Sequence, residues 1–308
     1  MNKKQIAAVV VTYNREALLK ECIEALFASK YDTEKYELFV YAVNNASTDG
    51  TAQLLKSLSD KYSNLITINQ TENTGGAGGF FKGMNDACID GRDYLWLMDD
   101  DTVVREDSLD ELLKAAEILK DDFGYLSSVA LWTDGTPCKM NHHAIMKNWA
   151  EKKQLLQYGL VSLEVATFVS FFMKAELVKK LGLPYRQYFI WGDDTEYSLR
   201  ISATYPCYIC GHSVVTHKMQ RNETARNLRE EDDKDRIERR YYSYRNDYYT
   251  YRFQNKRRKA FFLFWFAKEY YRILFGRHVA YKGLKLKVLR RAARDGRRFV
   301  PQIEYPEK

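Results

Sequence analysis

The chain has 308 residues, 45% of them hydrophobic and 14% aromatic with only five prolines, so it can bury a full core and lacks the composition of a disordered chain. Its formal charge of +7 is unevenly divided. Arg252 to Lys308 holds 17 Lys and Arg against 4 Asp and Glu, a surplus of +13, and residues 1–251, at 31 against 37, carry −6. The pattern is an acidic body, residues 1–220, followed by a basic, aromatic extension, residues 221–308.

The opening MNKKQIAAVVVTYN lacks the long apolar core and small-residue cleavage site of a signal peptide. Together with an odd number of cysteines, five, this implies a reducing, cytoplasmic setting. Cys207 and Cys210 form a CxxC without a second pair at zinc-site spacing, which reads as a structural strand feature.

In chain order, QIAAVVVT is a short apolar run that predicts a strand, and REALLKECIEALFAS has apolar residues at helical spacing. YELFVYAVNN predicts a second strand ending in an Asn/Ser/Asp/Gly cluster before the helical TAQLLKSLSDKY. NLITINQ is a third strand before TGGAGGFFKGMNDACIDG, and DYLWLMDDD a fourth. Strands alternating with helices imply βαβ units, hence an α/β fold whose mixed, mostly parallel sheet is flanked by helices. Ligands of such sheets gather beyond the carboxyl ends of the strands. All four strands end in polar residues: Thr12 to Asn14, Asn44 to Asp49, Asn73 to Gly79, and Asp99 to Asp101.

DSLDELLKAAEILKDD predicts a capped helix, and FGYLSSVALW and VATFVSFFMKAELVKKLG predict further strands and a helix. Residues 221–235 are charged and nearly free of apolar side chains, which predicts a flexible loop or exposed helix. Beyond them lie YYSYRNDYYTYRF, KAFFLFWFAKEYYRILFG and KGLKLKVLRRAARDGRRF. The run FFLFWFA is far short of the roughly 20 residues that cross a bilayer. Dense rings beside Lys and Arg suit an interfacial helix on an anionic membrane better than a nucleic-acid partner, the alternative being a helical subdomain packed on the body.

Three carboxylates directly after an apolar strand repel one another, and a hard divalent cation such as Mn2+ or Mg2+ relieves that repulsion and neutralises a nucleotide diphosphate. Alternation along an extended chain puts Asp99 and Asp101 on one side, toward the metal, and Asp100 on the other, toward the donor sugar or ribose. The glycines of NTGGAGGF, among them Gly76, Gly78 and Gly79, allow close backbone approach to a ligand. Their place after the third strand disfavours a dinucleotide-binding fingerprint. In FIWGDDTEYSLRI, Asp194 is the candidate general base, with Asp193 and Glu196 beside it and Trp191 offering a ring to a sugar face. The same acids also suit the first turn of a helix. Neutral imidazole makes His217 a competent metal ligand. His142 and His143 are assigned no role.

Taken together and in order, VVVTYNR, NNASTDGT, NTGGAGGF, WLMDDD, FIWGDDTEYSLR and VVTHK resemble glycosyltransferase family 2, in particular its bacterial galactofuranosyltransferase branch, over about residues 6–218. The resemblance implies a GT-A fold, inversion at the anomeric carbon, a manganese or magnesium ion and a UDP-galactofuranose donor. It implies Asp99, Asp101 and His217 as metal ligands and Asp194 as the base. Asp193 and Glu196 would contact acceptor or sugar hydroxyls, and Thr12, Asn14, Asn45, Asp49 and Asp100 would frame the nucleotide. The chain departs from many members in having Asn44 and Asn45 where they have an acid pair, and it lacks QxxRW. Related rhamnosyltransferases share much of the pattern and use dTDP-rhamnose. The expected acceptor is a lipid-linked saccharide in cell-surface polysaccharide synthesis such as O-antigen or capsule, met at the inner face of the cell membrane. A non-catalytic membrane scaffold is the alternative of a different class.

Overall fold

A computed structural model describes residues 3–141, 143–223, 228–252 and 256–307. The sheet begins with β1 (Lys4–Thr12), followed by α1 (Glu16–Phe27), β2 (Tyr36–Asn44), α2 (Thr51–Lys61), β3 (Leu65–Asn69), α3 (Gly75–Ile89) and β4 (Tyr94–Asp99). β5 (Thr102–Val104), α4 (Ser108–Ile118), β6 (Tyr125–Leu131), β7 (Ala144–Ile145), β8 (Leu160–Val165), β9 (Phe171–Lys174), α5 (Glu176–Leu181), α6 (Asp193–Ser202) and β10 (Tyr208–His217) complete the body. Three helices follow: α7 (Lys234–Arg252), α8 (Lys256–Leu274) and α9 (Lys282–Arg298).

The strand order is β3-β2-β1-β4-β9-β6-β10-β8-β7, with β5 paired to β10. β3, β2, β1 and β4 are mutually parallel, as is β6 with β10, and the edge opposite β3 is antiparallel. The mixed sheet flanked by helices is the architecture expected. β1 is buried along nearly its whole length because helices cover both faces, which is why it reads as an unbroken apolar run. Its alternate residues serve two cores. Ile6, Ala8 and Val10 pack with Leu19 and Ile23 of α1, and Ala7, Val9 and Val11 pack with Phe80 and Met84 of α3.

Register then aligns the polar strand ends. Thr12 lies opposite Asn44, Asn44 opposite Asn69, and Val11 opposite Asp99. The antiparallel pairing of β5 with β10 sets Thr102 against His217, which returns a residue 116 positions downstream to the acidic triplet.

The C-terminal helices have their own small core of Leu228, Ile237, Tyr241, Tyr244, Ile273, Leu286 and Leu289. They are also fastened to the body. Tyr249 and Phe299 pack on Tyr185 and Tyr188, and the chain end returns along it, with Leu183 N donating to Glu304 O at 2.7 Å and Glu307 N to Asn85 Oδ1 at 3.0 Å. The charged segment 221–235 falls partly outside the described residues; its described part, before α7, contains turns, and Leu228 is fully buried. Among the described residues no helix is long and apolar enough to cross a membrane. All five cysteines, Cys207 and Cys210 included, are buried and free.

Candidate active site

The acidic triplet divides as expected, although only Asp99 belongs to β4 and Asp100 and Asp101 form the turn after it. One oxygen each of Asp99 and Asp101 and a ring nitrogen of His217 lie within 4.8 Å of one another. Asp100 turns away, its Oδ2 accepting a 2.7 Å hydrogen bond from Thr12 Oγ1. Arg15 bridges the two parts, Nη1 donating to Asp100 Oδ1 at 3.1 Å and Asp101 Oδ2 at 2.8 Å.

The electrostatics call for a positive charge between Asp99, Asp101 and His217. Asp101 Oδ1 is buried and has no hydrogen bond unless His217 Nε2, 3.0 Å from it, carries a proton. The other ring nitrogen, Nδ1, is 2.9 Å from Asn141 Oδ1, an acceptor that orients the ring and leaves Nε2 facing the acids. Without a metal, a proton fills the need. Burial opposes charge on His217, yet the hydrogen bond and charge of Asp101 prevail and push its pKa up to about 10. Burial likewise works upward on Asp101, but His217 and Arg15 hold it below its usual value. Burial and then the Asp101 charge raise Asp99 to about 7, and burial raises Asp100 to about 6 against the pull of Arg15. Two carboxylates and an imidazole with an orphaned oxygen among them fit a divalent cation of the Mn2+ or Mg2+ class, which takes the proton's place.

The second acidic set opens α6. Asp193 and Asp194 occupy its first turn, where aligned backbone N–H groups favour negative charge. Burial, reinforced by Asp194, nonetheless holds Asp193 well above the usual carboxylate range, and burial also raises Asp194, partly offset by the Thr195 N–H and hydroxyl. The charge of Asp99 contributes to the rise at Asp193, so the two acidic sets lie close enough for their charges to interact. Glu196 is held by Arg200 one turn on, at 2.9 and 2.5 Å.

The segment before α6 is strained. Phe189 and Trp191 have φ of 65° and 64°, and Gly192 has φ of 85°, conformations that cost roughly 1–3 kcal/mol at non-glycine residues. Helix α7 compensates. Asn246 is fully buried, and its Nδ2 donates to the carbonyls of Tyr188, Ile190 and Trp191 at 3.0, 3.2 and 2.7 Å. Its Oδ1 accepts from Arg245, whose Nη2 also reaches the carbonyls of Gln187 and Tyr188 at 2.7 and 3.1 Å. Arg240 lies 5.1 Å from the centre of the Trp191 ring. Asp247 completes this wall, pushed up to about 7 by burial and the charge of Asp194 against the opposing pull of Arg240.

Several residues expected at the nucleotide and sugar also make contacts within the protein. Asn45 is buried, and its amide ties residues 70–75 to β2 through bonds to Gln70, Asn73, Thr74 and Gly75. Asn14 Oδ1 accepts from Thr48 N at 2.7 Å, and Asp49 caps the start of α2 through Thr51. The glycine run begins α3. A Cβ at Gly79 would come 2.4 Å from Val11 Cγ1 and one at Gly78 2.3 Å from Thr74 Oγ1, so these two permit close packing; Gly76 alone faces open space. His143 bonds Ser127 at 2.8 Å, and His142 lies outside the described residues. Arg15, Asn141, Arg240, Asn246 and Asp247 escaped the sequence reading. Only Arg15, adjacent to a polar strand end, carried a signal that could have exposed it.

The family described as Glycosyl transferase family 2 matches residues 7–182, which include the triplet but stop before Asp194 and His217. Poly(ribitol-phosphate) beta-glucosyltransferase of Bacillus spizizenii is 32% identical over 106 residues, 34% of this chain and 16% of that protein. Galactofuranosyltransferase GlfT1 of Mycolicibacterium smegmatis is 34% identical over 96 residues, 31% of this chain and 30% of that protein. The matches thus span less than a third of either relative's length. A crystal structure of GalNAc-T7 with UDP, GalNAc and Mn2+ superposes with a TM-score of 0.65 at 14% identity, covering 94% of this chain and 55% of that one, a likeness of fold.

Proposed function

From the premise that this chain belongs to glycosyl transferase family 2 with a GT-A fold, we propose that it is an inverting galactofuranosyltransferase. It transfers galactofuranose from UDP-galactofuranose to a lipid-linked saccharide in cell-surface polysaccharide synthesis. The observation that carries the reading is the convergence of Asp99, Asp101 and His217, with the charge of Asp99 felt by Asp193, the neighbour of Asp194. The first set suits the donor diphosphate, and the second suits the acceptor hydroxyl.

Asp194 takes the proton of the acceptor hydroxyl as its oxygen attacks the anomeric carbon. The nucleoside diphosphate leaves from the opposite face, so the configuration inverts. A base raised by burial lies nearer the working pH than a solvated carboxylate would. A bound Mn2+ or Mg2+ held by Asp99, Asp101 and His217 supplies positive charge for the diphosphate. Arg15, already bridging Asp100 and Asp101, adds a fixed cation beside that charge. Asp193 and Trp191 form the sugar-facing side of the crevice.

Residues 1–220 act as the catalytic unit, and residues 221–308 bring it to the cytoplasmic face of the membrane. The test is transfer of radiolabel from UDP-galactofuranose, compared with dTDP-rhamnose, to a lipid-linked acceptor with Mn2+ present. Transfer from dTDP-rhamnose alone replaces the donor. If neither sugar moves and Asp194→Asn leaves cellular function intact, the scaffold reading wins.

A further inference from the structure

The ends of three helices border a half-open cavity of about 180 Å3 lined by Tyr248, Arg252, Lys259, Phe262, Leu263 and Arg297. One water occupies about 30 Å3 of liquid, so there is room for a small anionic group. The lining has three cations and no carboxylate.

Other cations of the extension are neutralised nearby. Arg258 pairs with Glu164, and Arg291 and Arg294 with Asp295. Among the described residues neither Lys259 nor Arg297 has a carboxylate within 4.0 Å. The rim is also ordered by its own chain. Arg252 Nη1 donates to Arg297 O at 2.9 Å and Arg297 Nε to Tyr248 Oη at 3.2 Å, and the Arg297 guanidinium carries further N–H groups that suit an anion.

Beside the cavity, α8 presents a seam of Phe261, Phe264, Lys268, Tyr271 and Phe275, spaced three and four apart as one helix face requires. Phe261, Phe264 and Phe275 are 71%, 67% and 76% exposed. Their neighbours Phe262 and Phe266 turn inward onto Tyr244, Tyr248 and Tyr251, which anchors the helix on α7, and in the outer seam Tyr271 stacks on Phe275 while Phe261 and Phe264 stay largely exposed. A free phosphate would satisfy the cations and leave these rings in water. A lipid satisfies both.

We propose that this cavity binds the phosphate of an anionic membrane lipid, with Lys259 and Arg297 at the headgroup and the acyl chains against Phe261 and Phe264. The inference rests on the reading that the extension meets a membrane, and adds to it a discrete headgroup site.

Sedimentation with phosphatidylglycerol vesicles, against phosphatidylcholine vesicles, tests both. Each Lys or Arg near an anionic surface is worth about 1 kcal/mol, roughly fivefold in binding, so Lys259→Glu with Arg297→Glu should weaken vesicle binding by roughly 25-fold or more. Lys287→Glu with Arg290→Glu, exposed positions on α9 outside the cavity, makes the same charge change and should cost markedly less. Transfer to a lipid-free acceptor should be unchanged in both, and Lys259→Gln with Arg297→Gln repeats the comparison if the reversals impair folding. Equal losses in the two pairs overturn the headgroup site while leaving membrane binding intact. Wild-type protein that ignores phosphatidylglycerol overturns the membrane reading and the site with it. Inorganic phosphate that protects against thermal unfolding through Lys259 and Arg297, without vesicle binding, makes this a free-anion site and overturns the lipid assignment.

Discussion

Replacing Asn246 by alanine tests whether the C-terminal helices are part of the catalytic site. The side chain is fully buried and supplies one donor group to three carbonyls of residues 188–191. Tyr188 O keeps a second donor in Arg245 at 3.1 Å. The Ile190 and Trp191 carbonyls lose their Asn246 bond, and a buried acceptor left unpaired costs about 1–3 kcal/mol. Two such groups give about 2–6 kcal/mol, and water entering from the crevice moves the expectation to the lower half, about 3 kcal/mol. At about 2–4 °C per kcal/mol the melting temperature should fall by about 6–12 °C. The same carbonyls fix the strained turn that aims Asp193 and Asp194, and a displacement of about 1 Å at a reacting group can cost about 100-fold in rate. Turnover measured well below the variant's melting temperature should therefore fall about 100-fold. Donor KM should hold, because the triplet and His217 stand on β4, the turn after it and β10. A destabilised variant with wild-type kcat refutes the positioning argument, and an unchanged melting temperature refutes the hydrogen-bond accounting behind it.

Asp194→Asn should lower kcat by about 100- to 10,000-fold, the range of a lost general base, and leave UDP binding by calorimetry intact. Mn2+ at about 100 times its Kd should stabilise the wild type by about 2.7 kcal/mol, and His217→Ala should abolish the thermal shift; a full shift in that variant removes His217 from the ligand set. Asp247 has a native pKa of about 7, above its ordinary value of 3.8, so the native state holds its proton more tightly and loses that advantage as pH rises from about 4 through 7. Asp247→Asn should accordingly raise the melting temperature at pH above 7 relative to wild type and leave it little changed at the acid end. A gain that is the same at every pH contradicts the assignment.

Much of the body was legible in the chain. The continuous apolar run of β1 could only be a strand covered on both faces, and polar residues at four strand ends could only gather at one edge of a parallel sheet. Alternation anticipated the separation of Asp99 and Asp101 from Asp100, although the turn after β4 and not an extended strand produces it. Residue type was less informative for Asn45, Gly78, Gly79 and Glu196. Polar and small side chains serve loop bracing, close packing and helix ion pairs as readily as ligands, and only their neighbours decide which.

The tertiary structure alone decided what the last third of the chain does to the first. A buried amide at position 246 reads in sequence as one more polar residue in a tyrosine-rich stretch, because its partners are backbone carbonyls 55 to 58 positions away. The direction each ring of α8 faces was equally hidden: Phe261, Phe262 and Phe264 are identical in type, and only packing against α7 makes one core and two surface. Sequence determined the strands, the triplet and its need for a cation. The fold decided which distant groups meet that need and what holds the base in place, since those contacts join segments that local chemistry does not connect.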